Sequence, residues 1–251
     1  PLRRGNLVLL LVVLVLTLFA NLFFYMTMAL QYIYDLAPIA VALAMAPAQL
    51  SAVVGAIVSG RVVRRWGITR AGSVLMTVVA VTLLCSAGIG VSSPLWLAMA
   101  IVCVYAAAAA GGGVAVTNAV MDGAPPGKDG AASAFRGAAA SIGTAVGVAG
   151  MTAIVTTAAS ASLHHQFVQA DIDDSPSTQV AREITSGATS EDASSLYAVP
   201  IAEANEIDDF RRQAYLEGFR AHGLVGGVVT LAAAGMFLVT RRRLERRGEE
   251  R

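Results

Sequence analysis

Long apolar runs separated by short polar breaks are the main feature of this sequence. Crossing the hydrocarbon core of a bilayer takes about 20 mostly apolar helical residues. Six runs are of about this length: 7–30, 36–59, 71–91, 95–120, 131–161 and, somewhat shorter, 223–240. We therefore expect an all-α integral membrane protein with six transmembrane helices.

Positive charge is confined to alternate breaks between these runs. Four arginines lie within 61–70, Lys128 lies in the break after the fourth run, and five arginines lie within 241–247. The breaks at 31–35 and 92–94 contain neither lysine nor arginine. Because Lys and Arg in short loops remain on the cytoplasmic side, this alternation predicts that both termini are cytoplasmic.

The long segment between the fifth and sixth runs has a different composition. Residues 160–220 carry eleven acidic residues against four arginines and contain no apolar run of membrane-spanning length. We therefore expect five transmembrane helices within 1–159, an extracytoplasmic acidic segment at 160–220, and a last helix with a basic cytoplasmic tail at 221–251. A solvated cap is the favoured interpretation of the acidic segment, with a substrate-recognition domain as the alternative.

The overall composition supports a membrane protein and argues against several other classes. Hydrophobic residues make up 56% of the chain and charged residues 14%, whereas soluble proteins carry about 25% charged residues. The sequence contains no nucleophile–base set, no phosphate-binding loop and no basic stripe with interleaved aromatic residues. His164, His165 and His222 lie in or beside the acidic segment without metal-ligand spacing. We therefore expect no catalytic residues, no cofactor, no bound metal and no nucleic-acid partner.

The basic break has an ordered pattern of glycine and arginine. Its residues match the arrangement Gly-Arg-x-x-x-Arg-x-Gly-x-Arg at Gly60, Arg61, Arg65, Gly67 and Arg70. This pattern resembles the loop between the second and third helices of each half of a major facilitator superfamily transporter. The resemblance implies a role in conformational change, since arginine forks bind carboxylates in a defined geometry. Charge that only sets the topology is the alternative.

Further segments are similar, in the same order, to the C-terminal half of the 14-helix drug:proton antiporters, the EmrB/QacA-like branch of that superfamily. They are residues 1–6, 30–32, 43–47, 130–149 and 215–219. The resemblance implies one major-facilitator bundle, a 3+3 inverted repeat of helices. It also implies a partner, either an N-terminal half of six to eight helices or a second copy. A chain that begins at Pro1 without methionine fits a partial or processed protein.

Polar side chains within the apolar runs are rare and are therefore candidates for a substrate cavity. The candidates are Asn21, Tyr25, Gln31, Gln49 and Tyr105. Asn21 either lines a cavity with Tyr25 or bonds to a neighbouring helix. Gln49 either faces substrate or satisfies the carbonyl that Pro47 leaves without a donor. Tyr105 suits the binding of aromatic cations, with a place in the protein core as the alternative.

Charged residues near the expected cytoplasmic side suggest a gate. Arg136, near the start of the fifth run, is placed to pair with Asp122 or Asp129 as a latch, and a snorkelling arginine is the alternative. Farther along the same run, Gly143 and Gly147 have the four-residue spacing that lets membrane helices approach closely. These small residues serve either fixed packing or a sliding contact.

These expectations together favour the C-terminal half of a proton-coupled multidrug efflux transporter. Such a protein exports small amphipathic compounds by alternating access and lies in the plasma membrane, in contact with lipid. The content of alanine, valine and arginine, with a single lysine, indicates a bacterial source and hence the inner membrane. No Asp or Glu lies near the centre of an expected span, so proton coupling is expected in the other half. The alternative is a truncated or regulatory six-helix module without transport activity.

Overall fold

The described residues are almost all helical. The computed structural model describes residues 12–13, 22–34, 36–90, 93–124, 127–169, 191, 194–195 and 200–249. Its helices are α1 (Leu22–Tyr32), α2 (Pro38–Ser86), α3 (Leu95–Asp122), α4 (Asp129–Gln169) and α5 (Ile201–Glu249). No strand occurs within these residues, in agreement with the all-α expectation.

Proline marks the starts of two of these helices. Pro38 lies in the first turn of α2, and Pro94 occupies the N-cap position of α3. Proline suits the start of a helix because the first N–H groups have no acceptor within the helix. At the other end of α3, the N–H of Gly123 donates to the carbonyl oxygen of Ala119 and closes the last turn.

α2 comprises two arms that meet at Gly67. This glycine has φ 78° and ψ 158°, a backbone conformation that residues with a side chain rarely adopt. A Cβ at Gly111 of α3 would lie 3.1 Å from the Ser59 Cβ and 3.2 Å from the Leu75 Cδ1. Ser59 and Leu75 would be about 24 Å apart along a straight helix, so the chain reverses between them. α2 is therefore a helical hairpin with arms 38–66 and 68–86.

The hairpin changes the expected boundaries of the second and third spans. We expected an open loop at 60–70 between spans 36–59 and 71–91, but helix continues into this segment on both sides of Gly67. The side chains of Arg61, Arg65 and Arg70 are exposed. The segment can stay helical because these charged side chains remain outside the packed interface.

Small residues bring the hairpin into close contact with α3 and α5. A Cβ at Gly55 would lie 2.5 Å from the Ala107 Cα, so the backbones of the first arm and α3 touch there. A Cβ at Gly223 of α5 would lie 2.7 Å from the carbonyl oxygen of Leu83 in the second arm. Lipid provides no hydrophobic drive between helices, so such van der Waals contacts hold membrane helices together.

Three helices in the described part of the chain are long and apolar enough to cross a membrane. They are Pro38–Ser86, Leu95–Asp122 and Ala204–Arg243, and Leu22–Gln31 is a shorter apolar helix. Even the second arm of the hairpin alone is about 28 Å long, close to the hydrocarbon thickness of about 30 Å. These lengths and compositions are those of a membrane-embedded protein.

The last two helices are longer than the membrane spans expected within them. We placed the last span at 223–240, whereas one uninterrupted helix runs over Ile201–Glu249. α4 continues to Gln169, past the expected end at 161. Gly143 and Gly147 are buried in α4, and α4 contacts mainly α5. Residues 170–190 of the expected acidic segment lie outside the described residues.

Candidate functional site

A cavity with four aromatic side chains in its lining lies between α1, α4 and α5. Its volume is about 150 Å³, and its lining includes Phe24, Tyr25, Met28, Thr152, Tyr215 and Phe219. The hydroxyl oxygens of Tyr25 and Thr152 are 3.3 Å apart and share a hydrogen bond between α1 and α4. This site, here termed the aromatic cavity, combines flat apolar surface with a few polar groups. That combination is typical of small-molecule sites.

A buried histidine lies behind the wall of the aromatic cavity. The His222 side chain has no exposed surface, and its ring centroid lies 4.6 Å from that of Tyr25. Neither imidazole nitrogen has a hydrogen-bond partner among the described residues. The sequence placed His222 in or beside a solvated segment, but α5 carries it into the bundle. The sequence feature that could have indicated this burial is the position of His222 directly before Gly223, a small residue at the start of an apolar run.

Replacing His222 with leucine is expected to leave the protein as stable as before or to stabilise it. A buried polar group without a partner costs about 1–3 kcal/mol, and an apolar side chain of similar size removes that cost. Thermal unfolding of the purified protein in detergent measures the change, with His222→Gln as the polar control. A clear loss of stability in His222→Leu alone would mean that the imidazole has a favourable partner in the folded protein.

The two tyrosines predicted to line one substrate cavity have different surroundings. Tyr25 lines the aromatic cavity. Tyr105 is 1% exposed, and its ring packs edge-on against Phe23 with 6.0 Å between centroids. Tyr105 therefore lies in the protein core, which is the second of the two interpretations that the sequence left open.

The remaining cavity candidates are not brought together with Tyr25. Gln49 is exposed on the first arm of the hairpin, where it and Leu50 line a shallow hollow. Gln31 is partly buried near the end of α1. Asn21 lies outside the described residues. The predicted set therefore divides between the aromatic cavity and the exposed face of the hairpin.

An arginine from the expected basic tail joins three helices. The Arg241 Nη2 lies 3.5 Å from the Asp122 Oδ2 at the end of α3. The Nε of the same guanidinium donates to the Thr69 Oγ1 in the second arm of the hairpin, at 3.4 Å. The sequence predicted Asp122 as a partner of Arg136, but the end of α5 brings Arg241 to it instead. Sequence reasoning missed Arg241 because five arginines lie within 241–247 and only the fold distinguishes them.

Arg136 faces a groove between α3 and α4. The groove, here termed the arginine groove, is lined by Ala109, Ala110, Gly113, Val114, Thr117, Asn118 and Arg136. The Arg136 side chain is partly exposed, while its Nε is buried and has no hydrogen-bond partner among the described residues. Asp129 is exposed in the first turn of α4, about two turns before Arg136.

The predicted conformational loop is the turn of the α2 hairpin. Neither Gly60 nor Gly67 has any atom within 4 Å of where a Cβ would be, but Gly67 has a positive φ and Gly60 does not. The two glycines therefore have different structural roles, although both belong to the same sequence pattern. Three of the matched residues, Arg61, Arg65 and Arg70, present exposed side chains around the reversal.

Comparison with known proteins identifies the family of the chain. No curated protein matches the sequence. The family model described as Major Facilitator Superfamily matches residues 1–148, which include the α2 hairpin with its glycine and arginine pattern, α3 and the first half of α4. The chain therefore belongs to the major facilitator superfamily, whose members are membrane transporters rather than enzymes.

Proposed function

We propose that this chain is the C-terminal half of a proton-coupled multidrug efflux transporter. The observation that carries the proposal is the aromatic cavity, which lies in a chain of a transporter family. The side chains of Phe24 and Phe219 offer ring surface for amphipathic, cationic or aromatic compounds. The hydroxyl pair of Tyr25 and Thr152 offers hydrogen bonds to their polar groups.

Alternating access requires a second bundle. In this mechanism six helices, arranged as a 3+3 inverted repeat with both termini cytoplasmic, rock against a partner bundle around a midplane site. The first arm of the hairpin exposes large apolar side chains, such as Ile39 at 78% and Leu43 at 70%. We assign this surface to contact with an N-terminal half of six to eight helices or a second copy, with the lipid of the bacterial inner membrane covering the rest.

The proton carriers are proposed to lie in the partner half. Asp122 is at the end of α3 and interacts with Arg241, and Asp129 is in the first turn of α4. Neither is placed near the centre of a span, where a carboxyl group could exchange protons with a midplane cavity. The six helices would then supply the drug site and the moving bundle, and the partner would supply the coupling.

Substitution of Tyr25 tests the proposed drug site. In the intact transporter, Tyr25→Phe keeps the ring and removes the hydroxyl, so efflux of hydrogen-bonding substrates is expected to fall about tenfold. Tyr25→Ala removes the ring as well and is expected to reduce efflux of aromatic substrates in general. Proton-driven dye efflux from everted membrane vesicles measures both effects.

A matched control variant is Trp96→Ala. Trp96 is 70% exposed and is not part of the aromatic cavity, so its removal should leave the substrate profile unchanged. If Tyr25→Ala has the same profile as the unmodified transporter for every compound, the aromatic cavity is not the drug site.

The second candidate function is a regulatory six-helix module that does not transport. The positions of Asp122 and Asp129 near helix ends favour this module, because neither carboxylate can then carry protons inside the bundle. The mass of the native polypeptide separates the two functions. A membrane band near twice 25.8 kDa, detected with an antibody to residues 241–251, supports a single-chain transporter. A band near 25.8 kDa would favour the module or a dimer.

A further inference from the structure

Residues of α3 form one side of the arginine groove, and the other side carries a single cationic side chain. Gly113 and Thr117 are four residues apart on α3, so they lie on one face of that helix. Position 113 has nothing within 4 Å of where a Cβ would be, so the groove is open at its centre. Arg136 of α4 lines the opposite side.

The polar atoms of the groove are mainly hydrogen-bond donors. The Thr117 hydroxyl already donates to the Gly113 carbonyl oxygen at 2.7 Å. The amide of Asn118 and the guanidinium of Arg136 are the remaining polar side chains of the lining, and none of the lining residues is acidic. A donor-rich groove of this kind requires an acceptor from the ligand.

The acids closest in sequence do not neutralise Arg136 in this structure. Asp122, one turn beyond Asn118 on α3, forms its ion pair with Arg241 at 3.5 Å. Asp129, in the first turn of α4, is exposed, as is Lys128 directly before it. Burial of a guanidinium nitrogen without a partner is costly, so an anion in the groove would gain a strong interaction.

We propose that the arginine groove binds the carboxylate of an amphipathic small molecule, with Arg136 as its main ligand. Arginine presents paired N–H groups that match a carboxylate with two parallel hydrogen bonds. The Asn118 amide is placed on the same groove to donate a further bond, and the alanine and valine side chains contact the apolar part of the molecule. This inference rests on the proposed function, because it adds acidic amphipathic compounds to the substrates of the transporter.

A matched pair of fluorescent probes tests the proposal. Dansylglycine carries a carboxylate, and dansylamide has the same ring system without it. The full chain, reconstituted in phosphatidylcholine nanodiscs, is expected to bind dansylglycine at least about tenfold more tightly than dansylamide, which corresponds to about 1.4 kcal/mol. Arg136→Gln should remove this preference, and Arg136→Lys should keep part of it.

Controls separate loss of the site from loss of the fold. Arg243→Gln removes an exposed arginine near the end of α5 and should leave dansylglycine binding unchanged. The melting temperature of Arg136→Gln should not fall below that of the unmodified chain, since no described hydrogen bond involves the Arg136 Nε. Equal binding of the two probes, or unchanged preference in Arg136→Gln, would overturn the proposal.

Anionic lipid is the other source of a suitable acceptor, because its phosphate has the same chemistry. Nanodiscs that also contain phosphatidylglycerol distinguish the two: the preference for dansylglycine persists if the groove takes free carboxylates. Loss of this preference in the presence of phosphatidylglycerol would mean that the groove binds a lipid headgroup, and it would overturn the proposal. Dye efflux is measured separately, so efflux without carboxylate preference contradicts only this inference, and carboxylate binding without efflux contradicts only the proposed function.

Discussion

Substitution of Gly55 by alanine is expected to destabilise the bundle by about 3 kcal/mol, the upper end of the range for overpacking. A Cβ at this position would lie 2.5 Å from the Ala107 Cα and 2.6 Å from its carbonyl carbon. These are backbone atoms of α3, so no side-chain rotation relieves the clash. The first arm of the hairpin must move away, and the packing around Gly111 is then lost with it.

Thermal unfolding in detergent measures this effect, with Gly235→Ala as the matched control. Gly235 is also within a helix, but it is exposed and has open space where a Cβ would be. Alanine there should stabilise the protein by up to about 1 kcal/mol, because glycine is the poorer helix former. Equal melting temperatures for the two variants would show that the first arm does not pack on α3 through Gly55.

Substitution of Gly67 by alanine is expected to cost about 1–3 kcal/mol and to disturb the turn of the hairpin. The φ of 78° and ψ of 158° fall in a region that is open essentially only to glycine. A side chain there forces the turn to change, which moves the exposed arginines around it. In the intact transporter we therefore expect slower turnover of dye efflux as well as a lower melting temperature.

Gly60→Ala is the control for Gly67, since both glycines belong to the same sequence pattern. Gly60 has no positive φ and nothing within 4 Å of a Cβ. As with Gly235→Ala, its replacement should leave the free energy of unfolding unchanged or raise it by up to about 1 kcal/mol. If Gly60→Ala and Gly67→Ala change the stability equally, the positive φ at Gly67 is not the reason for glycine at this position.

The sequence predicted where the helices lie better than which way their side chains face. The start of α3 at Pro94 and the reversal near Gly67 follow from residues with strong local preferences, proline and glycine. The orientation of each helix around its own axis does not follow, because helices that are apolar on all sides lack the polar stripe that marks a solvent face. The sequence therefore left the surroundings of Tyr105 open and did not predict the burial of His222.

The candidate sites depend on contacts between residues far apart in the chain. Tyr25 can be singled out from the sequence alone, but its pairing with Thr152 depends on how α4 lies against α1. Similarly, the sequence suggested Arg136 as a partner of Asp122, whereas the length of α5 brings Arg241 to this carboxylate. Such choices are set by tertiary packing, which local propensity and charge patterns do not encode.

The tight turn at Gly67 also bears on how the protein is made. Two apolar arms are joined there without an open loop, and Arg61, Arg65 and Arg70 surround the junction. Carrying these charges through hydrocarbon is costly, so we expect the turn to stay on the side where the ribosome delivers the chain. The arms then enter the bilayer together as one unit. Biogenesis of this bundle would thus pass through a finished hairpin, on which the later-synthesised α3 and α5 assemble.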